Sequence, residues 1–156
     1  MKINKTTYKG VLAIECETDS IRVKFLPENG CRLQSIVEKQ SGKEFLALDS
    51  DPDFKPQFLG GSYVEGDVSG CDDMFPTIDP MSFDEGERKG VEYPCHGEVC
   101  RVAHSVELSD DGFTTFYHSK SLDYDYKKTV TEGEHGGVKI SYEITNTGSD
   151  DFRCMW

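Results

Sequence analysis

Long hydrophobic runs are missing from this sequence. No uninterrupted apolar stretch approaches the roughly 18 residues that a membrane span needs, and residues 1–5 (MKINK) lead into no apolar run of the kind an export signal carries. The expectation is therefore a cytoplasmic protein with no membrane partner. Helix formers are scarce as well: three alanines and eight leucines stand in 156 residues against 17 aromatics, and no window shows a 3.6-residue apolar stripe. Positive charge is short too, with 17 Lys+Arg against 29 Asp+Glu and a net charge of −12. That balance repels phosphate backbones, so nucleic acid is a poor partner and neutral or cationic ligands fit better. There is no glycine-rich phosphate cradle, no G-x-S-x-G elbow and no helical metal motif, and no cofactor is expected.

What is present is alternation with period two. Ile21, Val23 and Phe25 share a face against Arg22 and Lys24, and Cys100, Val102, His104, Val106 and Leu108 oppose Arg101, Ala103, Ser105 and Glu107. Leu122, Tyr124, Tyr126 and Val130 oppose Asp123, Asp125, Lys127 and Thr129, and Val138, Ile140, Tyr142 and Ile144 oppose Lys139, Ser141, Glu143 and Thr145. Turn chemistry separates the runs at Glu28-Asn29-Gly30, Ser41-Gly42, Asp110-Asp111-Gly112, Gly133 to Gly137 and Asn146-Thr147-Gly148. The pattern predicts an all-β, antiparallel chain of about eight to ten strands, forming half of a sandwich or of a barrel because one apolar sheet face must be covered by another layer.

Two stretches depart from the alternation. Residues 49–92 hold 12 carboxylates and only three cations, so that −9 of the net charge of −12 sits there, together with four of the six prolines. A loop of that length is functional or a solvated acidic excursion. At the end of the chain Phe152, Cys154 and Trp156 alternate with Arg153 and Met155, which predicts a last strand still running and a buried terminal aromatic.

Several side chains are candidates for chemistry. His96, in Pro94-Cys95-His96-Gly97-Glu98-Val99, precedes a predicted strand and follows the acidic loop. A histidine there suits proton transfer near neutral pH, although spacing alone fits a structural histidine more readily. Cys95, His96 and Cys100 do not have the spacing of a closed zinc site, so no metal is expected, and the six cysteines are read as reduced thiols. In Gly70-Cys71-Asp72-Asp73-Met74-Phe75-Pro76-Thr77-Ile78, two adjacent carboxylates precede an apolar anchor, Phe75-Pro76. Carboxylates held in this way accept hydrogen bonds from sugar hydroxyls, and the same string also fits a solvated turn.

Four strings in order resemble the N-terminal half of the aldose 1-epimerase (galactose mutarotase-like) superfamily. They are LPENGCRLQSIVEKQSGKEFL (26–46), GCDDMFPTIDP, CHGEV and YEITNTGSDDFRCMW, and with their surroundings they span residues 8 to 156. The resemblance implies a β-supersandwich, of which residues 1–156 form the N-terminal part, with a site that interconverts sugar anomers at C1. It maps His96 to the catalytic position near the ring oxygen, and Asp72, Asp73, His96 and Glu98 to substrate contacts. Cys71 stands where the signature has Trp, Asp73 where it has Glu, and Cys95 where an Asp precedes His-Gly. The family's second histidine and its general base lie beyond position 156. The chain alone is therefore expected to accelerate anomer interconversion negligibly, and the expected partners are an aldohexose-like sugar and either a second copy or a complementing C-terminal half. The alternative is a non-catalytic sugar-binding or self-associating half-sandwich.

Overall fold

The computed structural model describes residues 1–86, 88–151 and 153–156. Among these residues ten strands form: β1 (Lys2–Tyr8), β2 (Val11–Glu17), β3 (Ile21–Leu26), β4 (Arg32–Glu38), β5 (Met81–Ser82), β6 (Glu92–Tyr93), β7 (Ser105–Leu108), β8 (Gly112–Ser119), β9 (Tyr124–Glu132) and β10 (Val138–Asn146). All pairings between them are antiparallel, and no α-helix occurs among the described residues. One sheet has the order β1-β2-β3-β4, a second β10-β9-β8-β7, and β5 and β6 make a small hairpin of their own. The all-β antiparallel architecture that the alternation predicts is observed, and of its two closures the sheets form the sandwich, as the resemblance implies.

The apolar faces decide how the sheets meet. Ile14, Cys16, Val23 and Phe25 of the first sheet pack on Phe113 and Val130 of the second, with Cys31 completing the layer. Phe25 and Phe113 meet edge to face at 5.3 Å, a geometry favoured by the ring quadrupoles. The other half of the second sheet is covered by the long acidic excursion. Phe75, Tyr93 and Val99 come down on Leu122, Tyr124 and Tyr126, and Phe75 meets Tyr124 edge to face at 4.9 Å. The Phe75-Pro76 anchor thus pins the excursion to β9, as its apolar character predicts, and its peptide bond is cis.

The second sheet's inward positions on β9 are Tyr124, Tyr126, Lys128 and Val130. The alternation places Lys128 in the core although its charge argues against that face. The predicted strand from Cys100 begins only at Ser105. Arg101 N–H bonds Glu98 O at 2.9 Å and makes a short 3₁₀ turn of Val99–Arg101, and this segment spends its hydrogen bonds on the 27–30 turn instead: Gly30 N–H on Val102 O and His104 N–H on Pro27 O. The predicted last strand is absent as well. No strand follows Asn146 among the described residues, and Trp156 is 53 % exposed. Its ring still meets Tyr142 edge to face at 4.4 Å, and Met155 N–H bonds Pro76 O at 2.9 Å. Phe152 lies outside the described residues.

Candidate functional site

The turn that carries the candidate histidine is built on Gly97. Its φ is +65°, and a Cβ there would stand 2.3 Å from Phe75 O, so only glycine fits. The close approach lets Glu98 N–H and Val99 N–H both bond Phe75 O, at 3.0 and 3.2 Å. His96 is itself left-handed at φ 67° and is fixed by its N–H to Ile78 O at 2.7 Å. Its half-buried ring stacks on Tyr63 at 3.8 Å and 5°, and Nδ1 lies 2.8 Å from Cys95 Sγ.

Asp72 and Asp73 diverge from one point in the chain into two buried networks. Arg32, fully buried, grips Asp72 through Nε at 2.5 Å and Nη2 at 2.9 Å, and Tyr63 Oη donates to the same carboxylate at 2.7 Å. The hydroxyl that donates to Asp72 and the ring beneath His96 therefore belong to one side chain. Burial, and then the hydrogen bond to Asp72, raise the Tyr63 hydroxyl above its ordinary range. Asp73 faces the other way and accepts from Lys128 Nζ and from Tyr142 Oη, each at 2.8 Å. Lys128 also donates to Cys31 O at 2.9 Å and lies over the Phe25 and Tyr142 rings. Burial, followed by the Asp73 charge, holds the Tyr126 and Tyr142 hydroxyls well above their ordinary range.

Glu98 faces a third direction. Only 3 % exposed, its carboxylate accepts from Tyr124 Oη at 2.7 Å and Ser121 Oγ at 3.2 Å. Tyr93 donates to or accepts from Ser121 at 2.7 Å, and burial pushes the Tyr93 hydroxyl up to about 12. Glu98 lies at the floor of an open groove of about 520 Å³ whose other lining residues are Leu59, Gly60, Pro80, Glu92, Tyr93, Pro94 and Ser121. That volume is in the range of small-molecule sites. The cleft of about 420 Å³ beside Met1, Glu17, Lys39 and Glu132 is of a different kind, since the Met1 amine pairs with Glu132 and Lys39 with Glu17 across it, and it has no aromatic wall.

The structure thus joins His96 to Asp72 through Tyr63, sets Asp73 beside Asp72 on a separate network, and turns Glu98 into the groove. His96 is not among the groove's lining residues, but it sits between two that are, Pro94 and Glu98. The loop that stacks Tyr63 on His96 also brings Leu59 and Gly60 to the groove, and Arg101 Nη1 holds it through Gly61 O at 2.7 Å. Sequence spacing assigns no site role to Arg32, Tyr63, Lys128, Tyr142, Tyr93 or Ser121. Only Lys128 has a local signal, a charge at an inward position of a clear alternation. Among the described residues no three His, Cys, Asp or Glu side chains converge to hold a metal ion, and no helix is long and apolar enough to cross a membrane.

No protein-family model matches the sequence, and no curated protein matches it. Among solved structures the chain is similar to 4-alpha-glucanotransferase from Thermococcus litoralis, with a TM-score of 0.55 and 12 % identity over 92 % of this chain and 24 % of that one. The chain therefore spans about a quarter of the length of that enzyme. At this identity the likeness is one of fold, and it shows that over 92 % of its length the chain shares its antiparallel β-sandwich with part of a much larger protein.

Proposed function

We propose that the chain is a carbohydrate-binding sandwich of the aldose 1-epimerase type, taking a neutral aldohexose-like sugar and presenting His96 for proton transfer at its anomeric centre. The observation that carries this reading is the Glu98 groove. A buried carboxylate with tyrosine and serine hydroxyls makes its floor, and Leu59, Pro80, Pro94 and Tyr93 make its apolar wall. Sugar hydroxyls need such acceptors and donors, while the C–H face of a pyranose needs an apolar surface. The fold of a carbohydrate-processing enzyme lends support, as does the order of the four sequence strings. The acidic excursion favours a sugar without phosphate.

Anomer interconversion needs a base to take the proton of the anomeric hydroxyl and an acid to protonate the ring oxygen, so that the ring opens and recloses on the other carbonyl face. With Nδ1 against Cys95, His96 offers Nε2 for the acid's part. Asp72, Asp73 and Glu98 already accept hydrogen bonds from Arg32, Tyr63, Lys128, Tyr142 and Tyr124, so their oxygens are committed to the fold rather than to the anomeric hydroxyl. The chain on its own is thus a binder without turnover, with Asp72 and Asp73 holding the site's shape. Titration with glucose, followed by amide NMR, is expected to move the signals of Tyr93, Glu98 and Ser121. Glu98→Gln is expected to weaken binding about tenfold, the scale of one charged hydrogen bond. Polarimetry is expected to show the uncatalysed rate. Absence of any shift with glucose, galactose or mannose overturns the binding reading, and turnover that His96→Ala abolishes overturns the assignment of the carboxylates.

A further inference from the structure

Cys95 and His96 are a nucleophile and a base in hydrogen-bond reach, and sugar chemistry uses only one of them. Cys95 Sγ stands 2.8 Å from His96 Nδ1. Independent contacts fix both partners. Arg101 Nη2 donates to Cys95 O at 2.8 Å, and its guanidinium lies 5.8 Å from the Tyr63 ring centre. Cys100 Sγ donates to His96 O at 3.4 Å. The imidazole stacks on Tyr63, whose hydroxyl is tied to Asp72 and through it to buried Arg32. A thiol, an adjacent base and a third group that orients the base are the arrangement that activates cysteine.

The remaining cysteines lack this setting. Burial pushes the thiols of Cys16 and Cys100 up to about 12 and that of Cys31 up to about 11, and it raises Cys154 as well. Cys71 and Cys154 are the exposed thiols, so exposure alone ranks both above half-buried Cys95 in reactivity. Proton transfer to an adjacent imidazole reverses that order.

We propose that Cys95 and His96 form a nucleophilic thiol site that takes up small, uncharged, soft carbon electrophiles. The thiol proton passes to His96 Nδ1, and the sulfur lone pair forms the S–C bond. The leaving group departs with the electron pair of the bond that breaks, and the imidazolium then returns its proton to water. Negative charge on the electrophile is disfavoured because the acidic excursion, with −9 of the chain's charge, borders the site on the side of Tyr63, Asp72 and Ile78 and repels anions, and an uncharged electrophile meets no such barrier.

The test is alkylation of the full chain with iodoacetamide, resolved by site through peptide mass spectrometry between about pH 5.5 and 9. At pH 6.5 Cys95 is expected to react at least about tenfold faster than Cys71 or Cys154. His96→Gln is expected to abolish that advantage. If that variant fails to fold, the comparison of the three cysteines within the unaltered chain still decides. A Cys95 rate that follows Cys71 at every pH overturns the proposal. No sugar is present in the measurement, so labelling at Cys95 and sugar binding stand or fall separately.

Discussion

Replacing Asp73 with alanine is expected to destabilise the fold by about 4 kcal/mol. Asp73 and Lys128 are both buried, 2.8 Å apart, and the carboxylate is also the acceptor of the Tyr142 hydroxyl. Truncation leaves the ammonium with Cys31 O and two ring faces as its only compensation, and it strips Tyr142 of its acceptor. Breaking a buried pair by removing one partner costs roughly 3–5 kcal/mol, because the remaining charge keeps its desolvation penalty without the attraction that offset it. For a domain of this size, each kcal/mol lowers Tm by roughly 2–4 °C, so a fall of about 8–16 °C is expected. Urea unfolding followed by circular dichroism measures the free energy directly. The cycle with Lys128→Met separates the pair from the packing, and the double variant is expected to lose at least about 2 kcal/mol less than the two single losses combined. A single-variant loss below about 1 kcal/mol, or strict additivity, refutes a desolvated ion pair at this point.

Two further perturbations test the parts of the fold that hold the candidate site. His104 is buried, with Nε2 3.2 Å from Val99 O, and burial lowers its pKa from 6.5 to about 4. The unfolded chain therefore takes up a proton between about pH 6.5 and 4 that the folded one refuses. Stability from this group is complete above about 6.5 and is lost as pH falls through that window, by roughly 3 kcal/mol in all; urea unfolding of His104→Phe at several pH values is expected to show a shallower acid slope than the unaltered chain, and identical slopes refute it. Gly97→Ala drives a Cβ into Phe75 O at a left-handed position. It is expected to cost more than about 2 kcal/mol and to remove the stacking of His96 on Tyr63, read from the His96 ring proton shifts; unchanged shifts and stability refute the close approach.

Strand content was legible because alternation and turn residues are local. Val138 to Ile144 and Tyr124 to Val130 run as strands where their period two places them, and the Asp110-Asp111-Gly112 and Gly133 to Gly137 turns join the strands they separate. The reading failed where distant backbone intervened. Cys100 to His104 alternate as a strand does, but the 27–30 turn takes their hydrogen bonds. Trp156 continues an alternation, yet no strand pairs with it among the described residues.

Composition and pattern alone determined the all-β antiparallel class, the acidic excursion, the Phe75-Pro76 anchor and the short list of candidate side chains, because each depends on a residue's own chemistry and its near neighbours. Tertiary structure alone decided what those side chains do. It sends Asp72 to Arg32, 40 residues away in sequence, Asp73 to Lys128, 55 away, and Glu98 to Tyr124, 26 away. Two adjacent aspartates thereby become parts of two different networks, and a glutamate two residues from the histidine opens into a groove that the histidine does not line. Such partners meet only because the excursion and the turn after it pack against both sheets at once, and sequence spacing carries no record of that packing.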